Sequence, residues 1–400
     1  LEKKEAKLKE KNGDSQDVIN EKIREKIDEK LDEMKKQLEQ HKKEIENIIP
    51  FPKLMQNDFL RKWYPIWIHN AMENYAIVKR DYEKEICCLS AHPRPMNRPA
   101  IIIGAGPSLN KTGPLLKDWK HPIFVSASQA PTIVHYEREP DYISAFDSLW
   151  VTYEHLLHHN WKNSILLAHP TVEPKTLKSW KWKKFYYRRM YPGHEFYEFI
   201  YPLMYPMIRI GLKFTGSVVN NMILIASFLG YDPLFLVGVD YGWKKKAMTR
   251  ANTWKFNKKG EPVMDNVVRE DVLNNSGIID MEGYRTAENH FSFKVGLLET
   301  FMNINSTIID CSDGIINEFP KVDFKQAVEK QGKLDIEINK DKIKNNIKIF
   351  FTKKLPEYKK IFDEIREKEK DRIKKLAEEK KEKEKKGAEN TNEQDSNNRS

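Results

Sequence analysis

Ile101-Ile102-Ile103-Gly104-Ala105-Gly106-Pro107-Ser108-Leu109 is the stretch that decides the fold. Three β-branched residues in a row, with no polar alternation, read as a strand covered on both faces, which is the signature of a parallel sheet. Gly104 and Gly106 then allow a tight turn and a close approach of another backbone. Pro107 fits the first turn of a following helix, where its missing N–H costs nothing. A strand, a glycine turn and a helix start predict the first unit of an α/β domain, placed at residues 98–324.

The rest of that span repeats the alternation. Short apolar runs at Ala100–Gly104, Ile123–Ala127, Tyr142–Phe146, Ile165–Ala168, Leu234–Val239 and Thr307–Asp310 are separated by helical stretches. This predicts a Rossmann-like, mostly parallel sheet with helices on both faces. In such sheets ligands bind where strands end and helices begin, because helix N-termini present unpaired N–H groups there. The residues to read are therefore Gly104, Ser126, Asp147, His169, Asp240 and Ser312.

The turn Gly104, Ala105, Gly106, Pro107, Ser108 reads as a phosphate cradle, with Ser126 beside it. It is not the G-x-x-x-x-G-K-[ST] loop, and Leu109 stands where a dinucleotide turn has its third glycine. The acidic residue such a turn needs about twenty positions on is also missing, since Ser126, Ala127 and Ser128 fill that region. These departures speak against an NAD or FAD enzyme.

Asp147 and Asp240 are two carboxylates expected at one edge of the sheet. Either suits a ribose hydroxyl or Mg²⁺ near a phosphate chain, and either suits the N-cap of the next helix. Thr215-Gly216-Ser217 opens the apolar stretch Met222–Leu229, as a second phosphate site or as an ordinary cap. Between them, Lys178–Arg189 interleaves cations with aromatics. That pattern fits a surface that stacks bases, or an edge strand with one packed aromatic face and one solvated basic face. His290, with Glu288 nearby, is a candidate for acid/base work.

The flanks differ in composition. Residues 1–49 are dense in Lys and Glu, with Ile23, Ile27, Leu31, Met34, Leu38 and Ile45 forming a short heptad seam, so 19–48 is a candidate for self-association. Residues 50–97 read as a helical lead-in, with Trp63, Trp67, Met72 and Tyr75 for its apolar face, followed by a Pro-rich linker. Residues 325–388 read as a charged helical segment and 389–400 as a disordered tail. The net charge of +10 suits an anionic partner without choosing one. Cys87, Cys88 and Cys311 have neither disulfide nor zinc spacing. No apolar run is long enough to span a bilayer and no signal-like segment is present, so a cytoplasmic location is expected. A chain opening on Leu1 reads as an internal fragment of something longer.

Five pieces in this order resemble the 6-hydroxymethylpterin diphosphokinase MptE-like family, which includes archaeal pterin diphosphokinases and the Maf proteins that glycosylate flagellin. They are Pro99–Leu109, Pro140-Asp141-Tyr142 leading to Asp147, Thr215–Val218, Leu236–Asp240 and Ile309–Ile315. The helix segment Asn70–Asn74 also resembles the Asn-containing helix that leads into the Maf fold. The glycine turn is similar to the Gly-Asn-Gly-Pro-Ser turn of a sialyltransferase group that uses CMP-sugars, with Ala105 in place of their catalytically useful Asn. Residues 243–285 fall outside the resemblance, as an insertion.

The resemblance implies a nucleotide-dependent transferase. One form is diphosphoryl transfer from ATP to a hydroxymethylpterin-like acceptor, with Mg²⁺ held by Asp147 and Asp240. The other is transfer of a nucleotide-activated sugar to a glycan or protein acceptor, with His290 as acid or base and no need of a metal. A different class of reading keeps the fold without catalysis, as a nucleotide- or nucleic-acid-binding module with helical assembly tails.

Overall fold

In the computed structural model the described residues are 58–84, 97–190, 196–213, 216–244, 250–265, 277–281, 283–336 and 338–368, with scattered positions as far as 378. The heptad seam at 19–48, Cys87, Cys88, Thr215 and the 389–400 tail lie outside them. The chain divides into two units, residues 1–65 with 191–203 and residues 66–190 with 204–400. In the first, Tyr197 and Tyr201 pack their rings 5.7 Å apart on the helical turn Phe196–Met204. The second unit carries the sheet.

Its strands are β1 Arg98–Ile103, β2 Ile123–Ser126, β3 Tyr142–Ala145, β4 Ile165–Ala168, β5 Lys184–Tyr186, β6 Arg188–Met190, β7 Gly211–Lys213 and β8 Tyr231–Val237. After them come β9 Trp243–Lys244, β10 Thr253–Phe256, β11 Pro262–Asp265, β12 Ile278–Met281, β13 Tyr284–Ala287 and β14 Ile308–Asp310. Seven of these form one sheet in the order β14-β8-β1-β2-β3-β4-β5, every pair parallel. The six expected apolar runs are six of its strands. The seventh is β5, from the Lys178–Arg189 stretch.

Helix α1 spans Asp58–Glu83 and α2, of one turn, spans Leu109–Thr112; α3 is Ala130–His135 and α4 is Val218–Phe228. Farther on, α5 is Glu288–Met302, α6 is Phe324–Glu329 and α7 is Lys340–Ile349. Met222, Ile223 and Ala226 of α4 share one core cluster with Ile102, Phe124, Leu234 and Leu236 of the sheet. Phe124 stacks on Tyr142 with ring centres 4.2 Å apart, an offset geometry that aromatic pairs prefer. On the sheet's other face Trp119 meets Phe235 edge-on at 5.6 Å. Layers on both faces explain why Ile101, Ile102 and Ile103 are all fully buried.

Two elements depart from their sequence patterns. The buried stripe of α1 is Trp67, Asn70, Ala71, Asn74, Val78 and Asp81, whereas Met72 is 65% and Tyr75 40% exposed. Polar residues occupy the stripe because they are bonded. Asn70 Nδ2 donates to Ser148 O and Thr171 O at 2.9 and 3.1 Å, and Asn74 Nδ2 to Pro170 O and Val172 O at 2.9 and 2.8 Å. The two carboxamides thus hold the loops that leave β3 and β4. Beyond 325 the charged segment is not all tail. Ile343, Ile347, Phe350 and Phe362 belong to the core, with Phe291 of α5 contacting the rings of Phe350 and Phe362.

Candidate functional site

The chain runs outward from β1 through β2 to β5, then returns to lay β8 on the other side of β1. Strand order therefore reverses between β1 and β8, and the crevice at their carboxyl ends is the place such sheets bind ligands. Backbone closes it from below. Gly104 N donates to Val237 O at 2.9 Å and Gly106 N to Gly238 O at 2.7 Å. A methyl group on Gly104 would stand 2.3 Å from Gly238 O, and one on Gly106 would stand 2.4 Å from Asp240 Oδ2. Both glycines are required by the approach of this chain's own atoms.

Asp240 fills the seat the glycine turn offers to an anion. Its Oδ2 accepts Ser108 N–H at 2.8 Å, its Oδ1 accepts Ser108 Oγ–H at 2.5 Å, and Asp313 N–H adds a bond to Oδ1 at 3.2 Å. Burial pushes its carboxyl up to about 6, against the pull of those donors. The helix that follows the turn, α2, is only four residues long and gives way to a 3₁₀ turn at Gly113–Asp118, so its dipole is small. The expectation of a phosphate cradle at Gly104–Ser108 meets a turn whose donors Gly106 N, Ser108 N and Ser108 Oγ are already engaged within the chain.

The residue after Asp240 opens toward a second group. Tyr241 has a φ of 50°, the left-handed region that a bulky side chain enters only when its surroundings hold it there. Three bonds do so: Thr286 Oγ1 donates to Tyr241 O at 2.7 Å, Tyr241 Oη donates to Asn220 Oδ1 at 3.0 Å, and Asn220 Nδ2 donates to Phe293 O at 3.2 Å. Ser217 caps α4 by accepting Val219 N–H at 3.2 Å, and Gly216 supplies the positive φ of 81° before it. At the start of α5, His290 lies between Trp243 and Phe293, with ring centres 5.9 and 6.1 Å away. Its Nδ1 is buried with no hydrogen bond in the protein. Burial first and the charge of Arg250 second press its pKa down to about 4.

The remaining predicted residues are placed apart from this pair of clusters. Asp147 is exposed beyond β3, where its backbone carbonyl accepts Thr152 Oγ1 at 3.3 Å. Two strands separate β3 from β8, so three ladder spacings of about 4.8 Å put the two strand ends roughly 14 Å apart. A shared Mg²⁺ needs ligand oxygens at about 2.1 Å, whereas strand order sets the two strand ends apart. Among the described residues no three His, Cys, Asp or Glu side chains gather as metal ligands. Ser126 pairs its hydroxyl with Ser128 at 3.0 Å. His169 is fully buried and neutral. Its Nε2 lies 2.9 Å from Phe146 O and its Nδ1 2.6 Å from Thr171 Oγ1, a network that assigns the proton to Nε2 and makes it a brace between loops.

The Lys178–Arg189 stretch supplies the sheet edge, but its basic face is not all solvated. Lys184 is 5% exposed and its Nζ meets Asp81 Oδ2 of α1 at 2.7 Å. Arg189 is also buried, its guanidinium 4.3 Å from the ring centre of Phe146.

The insertion reaches the glycine turn. Its hairpin β10–β11 places the Trp254 ring on His135 and the Phe256 ring on His159. Ala251 N donates to Ala105 O at 3.0 Å, and Asn252 N donates to Asn110 Oδ1 at 2.9 Å, so the hairpin's approach is tied to the glycine turn itself. This brings the charge of Arg250 within electrostatic reach of His290, a relation that sequence spacing does not reveal. A signal that was readable is Asn220-Asn221, two amides inside an apolar helix. Asn221 is 1% exposed and Gln129, after β2, is fully buried, and neither amide makes a hydrogen bond in the protein.

Residues 69–246 match the family model of the 6-hydroxymethylpterin diphosphokinase MptE-like proteins. The MptE-like match takes in α1 from His69 onward, the glycine turn, Ser217 and the Asp240-Tyr241 pair, and it ends before Arg250, His290 and β14. The chain is also similar to a solved structure of the Maf glycosyltransferase from Magnetospirillum magneticum AMB-1, at 18% identity and a TM-score of 0.45. That alignment covers 66% of this chain and 38% of the other. No curated protein matches the sequence. Among the described residues no helix is long and apolar enough to cross a membrane.

Proposed function

We propose that the chain is a nucleotide-dependent transferase whose donor enters the crevice between β1 and β8, and that the transferred group is a nucleotide-activated sugar. The observation that carries the reading is the His290–Arg250 pair beside the strained Tyr241. A guanidinium there faces an anionic leaving group, and a neutral imidazole with a bare Nδ1 faces a proton. The match to an MptE-like family supports the nucleotide and the transferase class. Diphosphoryl transfer from ATP is the less supported form, because strand order sets Asp147 and Asp240, its expected Mg²⁺ ligands, at separated strand ends.

The chemistry asked of these residues is modest. The bond between the sugar's anomeric carbon and the donor phosphate oxygen breaks, and the acceptor oxygen forms a bond to that carbon. The nucleotide leaves with the phosphate, which Arg250 stabilises, and the acceptor's proton passes to His290. An imidazole at about 4 is by itself a poor base. Arrival of an anion offsets Arg250 and raises it toward the working range.

Calorimetry with CMP and a CMP-sugar in the absence of metal, and with ATP plus Mg²⁺, tests this. Binding of the cytidine ligands without metal is the expected result. Binding of ATP only with Mg²⁺ and none of CMP would replace it with the diphosphokinase reading. Binding of single-stranded oligonucleotide alone would replace it with a nucleic-acid module.

A further inference from the structure

A second cleft, of about 630 Å³, opens against the back of α2, lined by residues of that helix, Lys244, the Asp310–Asp313 turn and Lys321–Lys325. It shares Pro107, Ser108 and the Ser312-Asp313 turn with the candidate residues above. Its volume is that of a small-molecule site and well beyond that of a single oxyanion.

What the cleft can offer a ligand follows from what its groups already do. Ser108 Oγ is given to Asp240, Thr112 Oγ1 to Ser108 O, and Ser312 Oγ to Leu236 O. Lys244 pairs with Asp313 at 2.7 Å, and Asp323 caps α6 through Lys325 N at 3.0 Å. That leaves the side chains of Lys111, Lys321 and Lys325 at the rim and one atom at the floor. Asp310 is 1% exposed, its Oδ1 accepts Ser312 N–H at 2.9 Å, and its Oδ2 has no hydrogen bond. The nearest cation, Lys321 Nζ, stands 3.8 Å away, which is too far for one. Lys325 reaches only Glu329, at 3.9 Å.

Three lysines lining one cleft with a buried carboxyl oxygen call for a molecule with an anionic end and a hydroxyl end. We propose that this cleft binds a phosphate monoester of a polyol, its phosphate on Lys111, Lys321 and Lys325 and a hydroxyl donating to Asp310 Oδ2. A phosphate draws Lys321 off Asp310 and so opens the floor to the hydroxyl. The site is independent of the transferase reading.

Titration of the full chain with glucose 6-phosphate, inorganic phosphate and glucose tests it, with CMP present at saturation to fill the crevice. Glucose 6-phosphate should bind more tightly than phosphate, and glucose should not bind. The double variant Lys111→Ala/Lys321→Ala should weaken the phosphate ester about tenfold or more, by loss of two charge-assisted contacts. Lys325→Glu, on an exposed side chain, should weaken it as well without touching the fold. Absence of binding, phosphate binding as tightly as the ester, affinity unchanged in the lysine variants, or loss of binding in His290→Ala would each overturn the proposal.

Discussion

Ser108 and Asp240, 132 residues apart, are joined by two hydrogen bonds that a single carboxylate accepts from one residue, at 2.8 Å from its N–H and 2.5 Å from its Oγ. This clasp, with Gly106 packed beneath it, fixes the two loops that frame the crevice. Ser108→Ala should cost about 1–3 kcal/mol in urea unfolding, because a buried carboxylate oxygen loses its strongest donor. Gly106→Ala should cost more, and its cost should fall in an Asp240→Ala background, where the carboxylate it collides with is gone. Additive costs in that pair would show that the collision is relieved elsewhere.

Burial raises two neighbouring carboxyls, Asp310 to about 7 and Asp240 to about 6, from an ordinary value of 3.8. The folded chain then holds protons that the unfolded chain releases. Their contribution to stability is complete below about 3.8 and is lost as pH rises through about 6 to 7. Wild-type stability from this source should decline from pH 5 to pH 8, by an amount on the order of a few kcal/mol. Asp310→Asn should flatten the decline and be the more stable protein at pH 8. A slope that survives the substitution would assign it to other groups.

Asp81 titrates with the opposite sign. Burial would raise it, but the hydrogen bond and charge of Lys184, with Arg80 and Tyr186, hold it below the usual carboxylate range. Its contribution is present above about 3.8 and is lost as pH falls through the lower folded value. Asp81→Asn strands the buried Lys184 ammonium and should cost about 3–5 kcal/mol, while Asp81→Leu with Lys184→Met should cost far less. Thermal or urea melts of the two variants against wild type decide between pairing and mere packing.

His290 should report on the crevice directly. By NMR its pKa in the free protein should lie near 4 and should rise when CMP binds, since the phosphate offsets Arg250. His290→Ala should lower turnover by about 10²–10⁴ and leave CMP affinity within a few-fold. Arg250→Ala should do the reverse, weakening CMP more than it slows turnover at saturation. A His290 signal indifferent to CMP would remove it from the site.

The sheet was legible because β1, β2, β3, β4, β8 and β14 are each covered on both faces, and such strands announce themselves as unbroken apolar runs. β5 was half legible, since an edge strand under a polar-bonded helix tolerates Lys184 within it. The stripe on α1 was misread for the same reason: Asn70 and Asn74 are buried as donors to loop carbonyls, and hydropathy does not register a satisfied amide. Of the candidate site, the glycine turn, Ser217, Asp240 and His290 stand out in the sequence by their positions after strands or before helices. Which of them meet does not. Asp147 and Asp240 look equivalent in sequence, and only strand order puts two strands between them. Arg250 reaches His290 through an insertion tied to Ala105 by one backbone bond, a relation with no trace in residue type. The core contribution of Phe350 and Phe362 was masked by the Lys and Glu that surround them.

The place of β8 in the sheet has a consequence for synthesis. β1 leaves the ribosome more than a hundred residues before the strand that will cover its second edge. Until Tyr231–Val237 emerges, Ile101–Ile103 presents a bare row of backbone donors and acceptors beside the most apolar segment of the domain, the kind of edge that recruits strands from other chains. A nascent chain stalled or cut between Lys213 and Tyr231 should therefore aggregate, whereas one extended past β14 should not. The half-sheet β1–β5 is in this sense an obligate client of its own later sequence, and expression of the two halves as separate polypeptides should recover soluble protein only when both are made together.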